Sequence, residues 1–367
     1  MRGTSPIYAF EVGSDQAWAT LRQSNRANSE LTMPCCGSGV VLRTSKLGTR
    51  HFAHSRRGPC ATAPETAEHL LAKLRIVEGI LAAGWTATAE LSGRTPAGED
   101  WRADVLASNG RSRIAFEVQW SRQDQQETSR RQQRYADAGV RGLWLFRQRD
   151  FAVSEEIPSF KLKFDEHLRS FDVLLPSPHY DPMWLSRDDN SSSWGQRIPL
   201  SNFITGALKG RLQFAPALGR RMPVEVNVAR ITCWKCNKRT GVVLGIDFAA
   251  SRILPGCPDI PTTIYDFGND LPGGATALAS ILPTSLLRQH GIGIVKPRWS
   301  KTRSTKYMSN GCVHCDSLQG SFFEHEYAYD ATKAFEIEAE LKAEWIPHLQ
   351  EADRYVNRWW FDNSPFE

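Results

Sequence analysis

Residues 99–121, EDWRADVLASNGRSRIAFEVQWS, constrain the fold more than any other stretch of the chain. Apolar and polar residues alternate on both sides of Asn109-Gly110, the pattern of two strands joined by a tight turn. In the second strand Ile114, Phe116, Val118 and Trp120 share one face, and Ala115, Glu117, Gln119 and Ser121 the other. In the first, Asp104 falls with Arg102 and Leu106, opposite Trp101, Ala103 and Val105. The turn sets the strands side by side and brings Asp104 near Glu117. Two carboxylates offer the hard oxygen ligands that Mg²⁺ or Mn²⁺ takes. Most alternating hairpins are plain sheet with a solvated polar face, so the flanks decide the reading.

An amphipathic helix is expected over 65–84. Pro64 suits its start, and Leu70, Leu71, Leu74, Val77, Ile80 and Leu81 form its apolar stripe. Glu65, His69 and Lys73, spaced i, i+4, i+8, share a different face, and Gly84 ends the helix. WTATAEL (85–91) reads as a strand, 124–138 as a polar helix capped by Gly139, and RGLWLFR (141–147) as a buried strand. The order is helix, strand, strand, strand, helix, strand. Arg130, Arg131 and Arg134 on the polar helix suit phosphate contacts, although a solvated charged face is the commoner fate of such runs.

Five ordered motifs, HFAH (51–54), ETAEH (65–69), RADV (102–105), FEVQWS (116–121) and RQQRYADAGVRGLWLF (131–146), resemble the competence protein CoiA-like family. That family carries a nuclease domain similar to the PD-(D/E)XK restriction endonucleases, and the resemblance covers roughly the N-terminal 40% of the chain. It implies an α/β fold with a restriction-endonuclease-like αβββαβ core over 65–150. It also implies an Mg²⁺ or Mn²⁺ site at Asp104 and Glu117, helped by the Val118 carbonyl. An acidic group on the first helix would stand near the metal, which makes Glu65, Glu68 and His69 candidates. The third position of the D…(D/E)xK pattern is Gln119, as in the family's E-x-Q variant. An amide orients water but lends no positive charge. Ser121 completes the family's QxS motif.

A chain of 367 residues holds two or three domains, and 41% hydrophobic with 23% charged residues is a globular composition. No apolar run is long enough to span a membrane, and no secretory leader is visible, so a cytoplasmic protein is expected. Eight cysteines in that compartment argue for metal ligands or thiols rather than disulfides. The net charge of +5 is compatible with nucleic acid but does not establish it.

Residues 1–64 form an N-terminal Cys/His segment with a strand candidate at 7–12. Cys35, Cys36, His54 and Cys60, with His51 in reserve, offer four zinc ligands. The family usually has a CPxC knuckle here, whereas Met33 stands where its first cysteine would be. A metal-free remnant of a zinc ribbon is the alternative. His51 and His54 with Arg56 and Arg57 also suit a phosphate path.

Residues 151–230 read as linker and mixed structure, with a polar loop at 186–197. Within 231–320, Cys233 and Cys236, then Cys312 and Cys315, form two CxxC knuckles. Together they make a Cys₄ zinc ribbon interrupted by a large insertion. Cys257 stands apart as a buried thiol. In the insertion, KPRWSKTRSTKY (296–307) interleaves Lys296, Arg298, Lys301 and Arg303 with Trp299 and Tyr307, a composition suited to a nucleic-acid-contacting surface loop. Residues 321–367 carry a long helix candidate at 330–361, split by Pro347.

The expectation is a metal-dependent DNA nuclease acting in DNA processing, recombination or defence. The alternatives are a catalytically weak or inactive nuclease-fold DNA-binding protein and a zinc-dependent protein-interaction module. Expected partners are DNA, in single-stranded, duplex or branched form, and a second copy of the chain or a recombination or defence protein.

Overall fold

A computed structural model describes residues 9–33, 36–56, 65–148, 151–176, 194–216, 218–253, 255–320, 326–349 and 356–364. Two compact units divide the chain, residues 1–210 and 211–367. Among the described residues no helix is long and apolar enough to cross a membrane.

In the first unit, helix α1 (Asp15–Asn28) precedes a two-stranded hairpin of β1 (Val40–Thr44) and β2 (Arg50–His54). The expected strand at 7–12 is instead a 3-10 turn at Ala9–Glu11, with residues 7 and 8 outside the described residues. Next come α2 (Ala67–Ala82), β3 (Thr86–Arg94), β4 (Asp100–Asn109), β5 (Ser112–Gln119), α3 (Gln125–Asp137) and β6 (Arg141–Phe146). The expected element order is therefore present. Strands β7 (Ser159–Asp165), β8 (Ser170–Pro176) and β9 (Trp194–Pro199), then helix α4 (Leu200–Leu208), complete the unit. The polar loop expected at 186–197 falls mostly outside the described residues; β9 begins at its end.

β3 to β9 form one seven-stranded mixed sheet in sequence order. β5, β6 and β7 are parallel neighbours and the other pairs antiparallel. The tight turn is Gly110-Arg111, one residue on from the expected Asn109-Gly110: Asn109 pairs with Ser112, and Gly110 has φ +58°. β6 is buried on both faces, as a central parallel strand must be. Trp144 and Phe146 join Tyr135 of α3 in one core, with Ala115, Leu106, Ala103 and Trp101. Leu145 lies on the opposite face and pairs with Phe160, whose ring packs against Phe203 of α4. α4 packs in turn on α2, where Gly79 lies against Ile204. The sheet is thus covered by α3 on one side and by α2 with α4 on the other.

β4 departs from strict alternation. Trp101 and Ala103 share a core with Leu106 and Ala115, so the strand changes phase between Ala103 and Leu106. Pairing between β3 and β4 skips Glu90 and Asp104, and Glu90 has φ +57°. Such a backbone in a non-glycine residue costs about 1–3 kcal/mol and persists only where neighbours hold it. Pairing between β4 and β5 also ends at Val105–Phe116, one step short of Asp104.

The second unit holds β10 (Leu212–Ala215), β11 (Arg221–Thr232), β12 (Arg239–Phe248), β13 (Ile260–Thr263), helices α5 (Ile264–Asp270), α6 (Gly274–Ile281) and α7 (Thr284–Gln289), then β14 (Lys296–Ser300), β15 (Thr305–Gly311), β16 (Leu318–Gln319), β17 (Thr332–Glu340) and β18 (Arg358–Phe361). The main sheet runs β13-β12-β11-β17. Its core gathers Val224, Val226, Ile246, Phe248, Phe267 and Trp345, with Cys257 buried among them.

The long helix expected over 330–361 is not formed: strand β17, a 3-10 turn at Ala343–His348 and strand β18 take its place. Phe335, Ile337 and Ala339 alternate with Glu336, Glu338 and Glu340, a period-two pattern that fits the open edge of β11. Residues 296–307, expected as a loop, form the β14–β15 hairpin.

Candidate functional site

Asp104 and Glu117 stand at the seam where β4 and β5 stop pairing, and one helix from each side of the sheet reaches them. The phase change turns Asp104 towards α2. Its Oδ2 accepts the Val118 N–H at 2.8 Å, a donor the ended ladder leaves unpaired, and lies 3.8 Å from His69 Nε2. Burial alone would raise the Asp104 carboxyl, but His69, the Lys73 ammonium and the Val118 N–H hold it well below the usual carboxylate range.

Glu117 keeps the parity of Ala115 and faces α3. One of its oxygens meets the Arg131 guanidinium and the other the Tyr135 hydroxyl. The Tyr135 hydroxyl also lies 2.8 Å from the Arg102 carbonyl, and Arg131 stacks over Trp144. Glu117 is 1% exposed. Burial, then the Asp104 charge, push its carboxyl up to about 8, against the opposing pull of Arg131 and Tyr135.

α2 supplies the row that its spacing promised. Glu65 precedes the helix, Thr66 caps it by accepting the His69 N–H, and His69 and Lys73 follow at one-turn intervals. Glu65 Oε1 faces His69 Nδ1 at 3.6 Å. Lys73, 7% exposed, bridges Glu65 and Glu90, and Glu90 also binds Arg102. Burial opposes the Lys73 charge, yet Asp104, Glu65 and Glu90 together raise its pKa. Glu68 points elsewhere. It pairs with Lys46 at 3.0 Å, and its own backbone N–H at the helix start is the main cause of its lowered pKa.

Gln119 donates to the Ser121 carbonyl at 3.2 Å, so the backbone of Ser121 is what it engages. Of the arginines expected to hold phosphates, Arg131 turns inward to Glu117, Arg134 lies 3.4 Å from Glu99, and Arg130 lies 3.8 Å from Glu127 on an exposed face. Lys73, Glu90, Arg102 and Tyr135 were absent from the candidate site read from sequence. The i+8 spacing of Lys73 was the one available signal; Glu90 comes into place only through the backbone irregularity it shares with Asp104.

Cys233, Cys236, Cys312 and Cys315 converge in the second unit, their sulfurs all within 4.8 Å of one another. Cys233 and Cys315 are 3.7 Å apart and Cys236 and Cys312 3.6 Å. Four sulfurs about 2.3 Å from one tetrahedral ion are about 3.8 Å apart, so the set fits zinc. The two turns match: Asn237 N–H returns to the Cys233 carbonyl and Asp316 N–H to that of Cys312, each at 2.9 Å, with φ +55° and +54°. Ser317 reaches both Cys233 and Cys315. Trp234, 66% exposed, ties the first knuckle to the second through the Leu318 carbonyl.

The N-terminal segment contains a third turn of this type. Gly37 N–H returns to the Met33 carbonyl at 2.8 Å with φ +69°, and Met33 N–H bonds the Ser38 carbonyl. Met33 fills the first-cysteine position and packs into the apolar cluster around Trp18 and Leu42. Cys36 Sγ lies 3.3 Å from His54 Nε2, whereas Cys35 and Cys60 fall outside the described residues. His51 turns to the Thr49 carbonyl. Among the described residues the four-cysteine cluster is the one group of three or more ligating side chains; Asp104 and Glu117 are not gathered with a third ligand around a point.

The basic hairpin spends much of its charge internally. Arg298, whose side chain is 9% exposed, serves the Ile294 and Ser309 carbonyls and Asp316. Lys296 binds Asp316 at 2.6 Å, and Arg303 lies between the Tyr265 and Tyr307 rings. Trp299 and Lys301 are exposed.

No curated protein and no solved structure matches the chain. Residues 65–188 match the family model described as competence protein CoiA, nuclease-like domain, and the segment that builds the Asp104–Glu117 site thus belongs to the CoiA nuclease-like family.

Proposed function

We propose that the chain is a metal-dependent DNA nuclease whose hydrolytic site is formed by Asp104 and Glu117. The observation that carries this reading is the position of the two carboxylates. They flank the point where β4 and β5 separate, inside the segment that matches a nuclease-like family. The helix, three strands, helix and strand of the core follow the order that the restriction-endonuclease-like reading requires. The donor set fits Mg²⁺ or Mn²⁺: Asp104 is held ionised, and Glu117 stands across the seam. Such an ion, when bound, supplies an activated water and neutralises charge on the phosphate.

The side chains divide the remaining work. The Val118 N–H fixes the Asp104 carboxylate, and Lys73 places positive charge beside it. Gln119 positions water by hydrogen bonding. Glu117 would have to exchange Arg131 and Tyr135 for the ion, which frees the Arg131 guanidinium to receive a phosphate oxygen. The four cysteines hold zinc and brace the β11–β12 and β15–β16 turns. The site of action would be the cytoplasm, in DNA processing, recombination or defence.

A second reading has specific support. Both oxygens of Glu117 are occupied and the lysine of the wider pattern is replaced by Gln119, an arrangement that suits a nuclease fold that grips DNA without cutting it. The purified chain should be incubated with labelled single-stranded, duplex and branched DNA in EDTA, Mg²⁺ and Mn²⁺, with Glu117→Ala in parallel. Metal-dependent cutting that the substitution reduces about a hundredfold or more supports the nuclease. Binding by both proteins without cutting supports the second reading.

A further inference from the structure

We propose that the β14–β15 hairpin is a docking platform for single-stranded DNA. An unpaired base stacks on Trp299, while Lys301 and Lys306 hold the flanking phosphates. This site is formed wholly within the second unit, and its existence does not depend on hydrolysis at Asp104 and Glu117.

Trp299 is 62% exposed although it belongs to a strand. A lone exposed aromatic side chain is common, so its surroundings decide what it does. Trp299 pairs with Lys306 across the ladder, which puts both side chains on one face of the hairpin. Ser300 and Thr305 form the last pair, and residues 301–304 make the turn beyond it. Lys301 and Lys306 are exposed, and among the described residues neither enters an ion pair. Residues 296–307 contain no acidic side chain. At the base of the hairpin Asp316 already neutralises Lys296 and Arg298, so the uncompensated charge sits at the tip beside the exposed ring.

The platform is fixed before anything binds. The Asn310 side chain bonds both the N–H and the carbonyl of Val243 at 2.8 Å, which pins β15 to β12. Asn269 accepts the Met308 N–H at 2.9 Å. At the tip the Arg303 N–H donates to Ser300 Oγ at 3.2 Å, and Ser304 closes the turn at φ +50°. A ring and two ammonium groups held this way lose little conformational freedom on binding. Inside a duplex the faces of a base are covered by its neighbours, whereas an unpaired base offers a face to an exposed indole. Lysine ammonium groups act as point charges that hold phosphate without reading base edges. The hairpin therefore suits a single strand, with little sequence preference.

The test uses the full chain with zinc retained at the four cysteines, in buffer free of Mg²⁺ and Mn²⁺. Fluorescence anisotropy measures binding of an oligothymidylate of about sixteen nucleotides, a duplex of the same length, and an abasic strand that keeps the phosphates but lacks the bases. Wild-type protein should prefer the oligothymidylate to both. Trp299→Ala should weaken oligothymidylate binding about tenfold to a hundredfold with unchanged circular dichroism, and leave binding of the abasic strand unaltered. Trp299→Phe should retain most of the affinity. Lys301→Ala and Lys306→Ala should weaken both single strands and lower the salt slope of each. Photocrosslinking with 5-iodouracil in the strand should map to Trp299. Unchanged oligothymidylate binding in Trp299→Ala, equal loss for the abasic strand, or equal affinity of the wild-type protein for the duplex would overturn the proposal. Each of these results leaves the nuclease reading, which is judged by cleavage, where it stands.

Discussion

The backbone N–H of Val118 donates to Asp104 Oδ2 at 2.8 Å, across the opening between β4 and β5. The same carboxylate that serves the proposed chemistry thus closes the frayed end of a ladder. Asp104→Ala leaves that N–H unpaired and should cost about 1–3 kcal/mol of stability. Asp104→Asn keeps an acceptor and should cost less. Urea unfolding of the two variants separates the structural role from the catalytic one, since both should lose cleavage.

Glu117 gives the metal-free protein a pH dependence of defined sign. Its folded carboxyl titrates near 8, above the ordinary 4.5, because it is buried beside Asp104. The folded state therefore favours the protonated form. Its contribution to stability is full below about 4.5 and is lost as pH rises through about 8. Glu117→Gln should flatten that part of the stability–pH curve, measured by denaturant titration in EDTA from pH 5 to 9.

Lys73 bridges two acidic groups that would otherwise repel. Its head is buried, but Glu65 and Glu90 keep 34% and 25% of their side-chain surface exposed. Lys73→Met should therefore cost more than the about 0–1 kcal/mol of a surface pair and less than the about 3–5 of a fully buried one. A thermal melt of Lys73→Met beside Lys73→Met/Glu90→Gln checks it. The second change should recover part of the loss, because it removes the carboxylate left without a partner.

Zinc content provides a further test. Purified protein should carry one tightly bound zinc, and Cys233→Ser or Cys315→Ser should release it and lower the melting temperature of the second unit. Elemental analysis together with calorimetry reads both. Met33 at the head of the N-terminal turn predicts that this segment adds no second equivalent, although Cys36 and His54 lie together there.

On the β14–β15 hairpin, Arg298 and Lys301 should separate cleanly. Arg298 is built into the hairpin base through Asp316 and two carbonyls, so Arg298→Ala should destabilise the unit. Lys301→Ala should leave the melt unchanged and reduce the salt slope of DNA binding by about one.

Much of this architecture is written locally. Period-two alternation around Asn109-Gly110, the apolar stripe of α2, and the Gly139 stop before β6 each act over a few residues, and the αβββαβ order follows from them. The two CxxC turns are likewise local, since an αL residue after the second cysteine closes each one without help from the rest of the chain. The C-terminal segment forms a strand rather than the expected helix because Phe335, Ile337 and Ala339 fit a helix stripe loosely and a strand well, and only the open edge of β11 chooses between them. The meeting of the knuckles, 76 residues apart from Cys236 to Cys312, also required the intervening sheet. At the candidate site the sequence named Asp104, Glu117, His69 and Glu65. It could not name Glu90 or Tyr135, nor show that Arg131 turns inward. Glu90 depends on the phase change of β4 between Ala103 and Leu106, and Tyr135 and Arg131 on how α3 packs over Glu117; both are decided by packing between elements distant in sequence, which no single stretch contains.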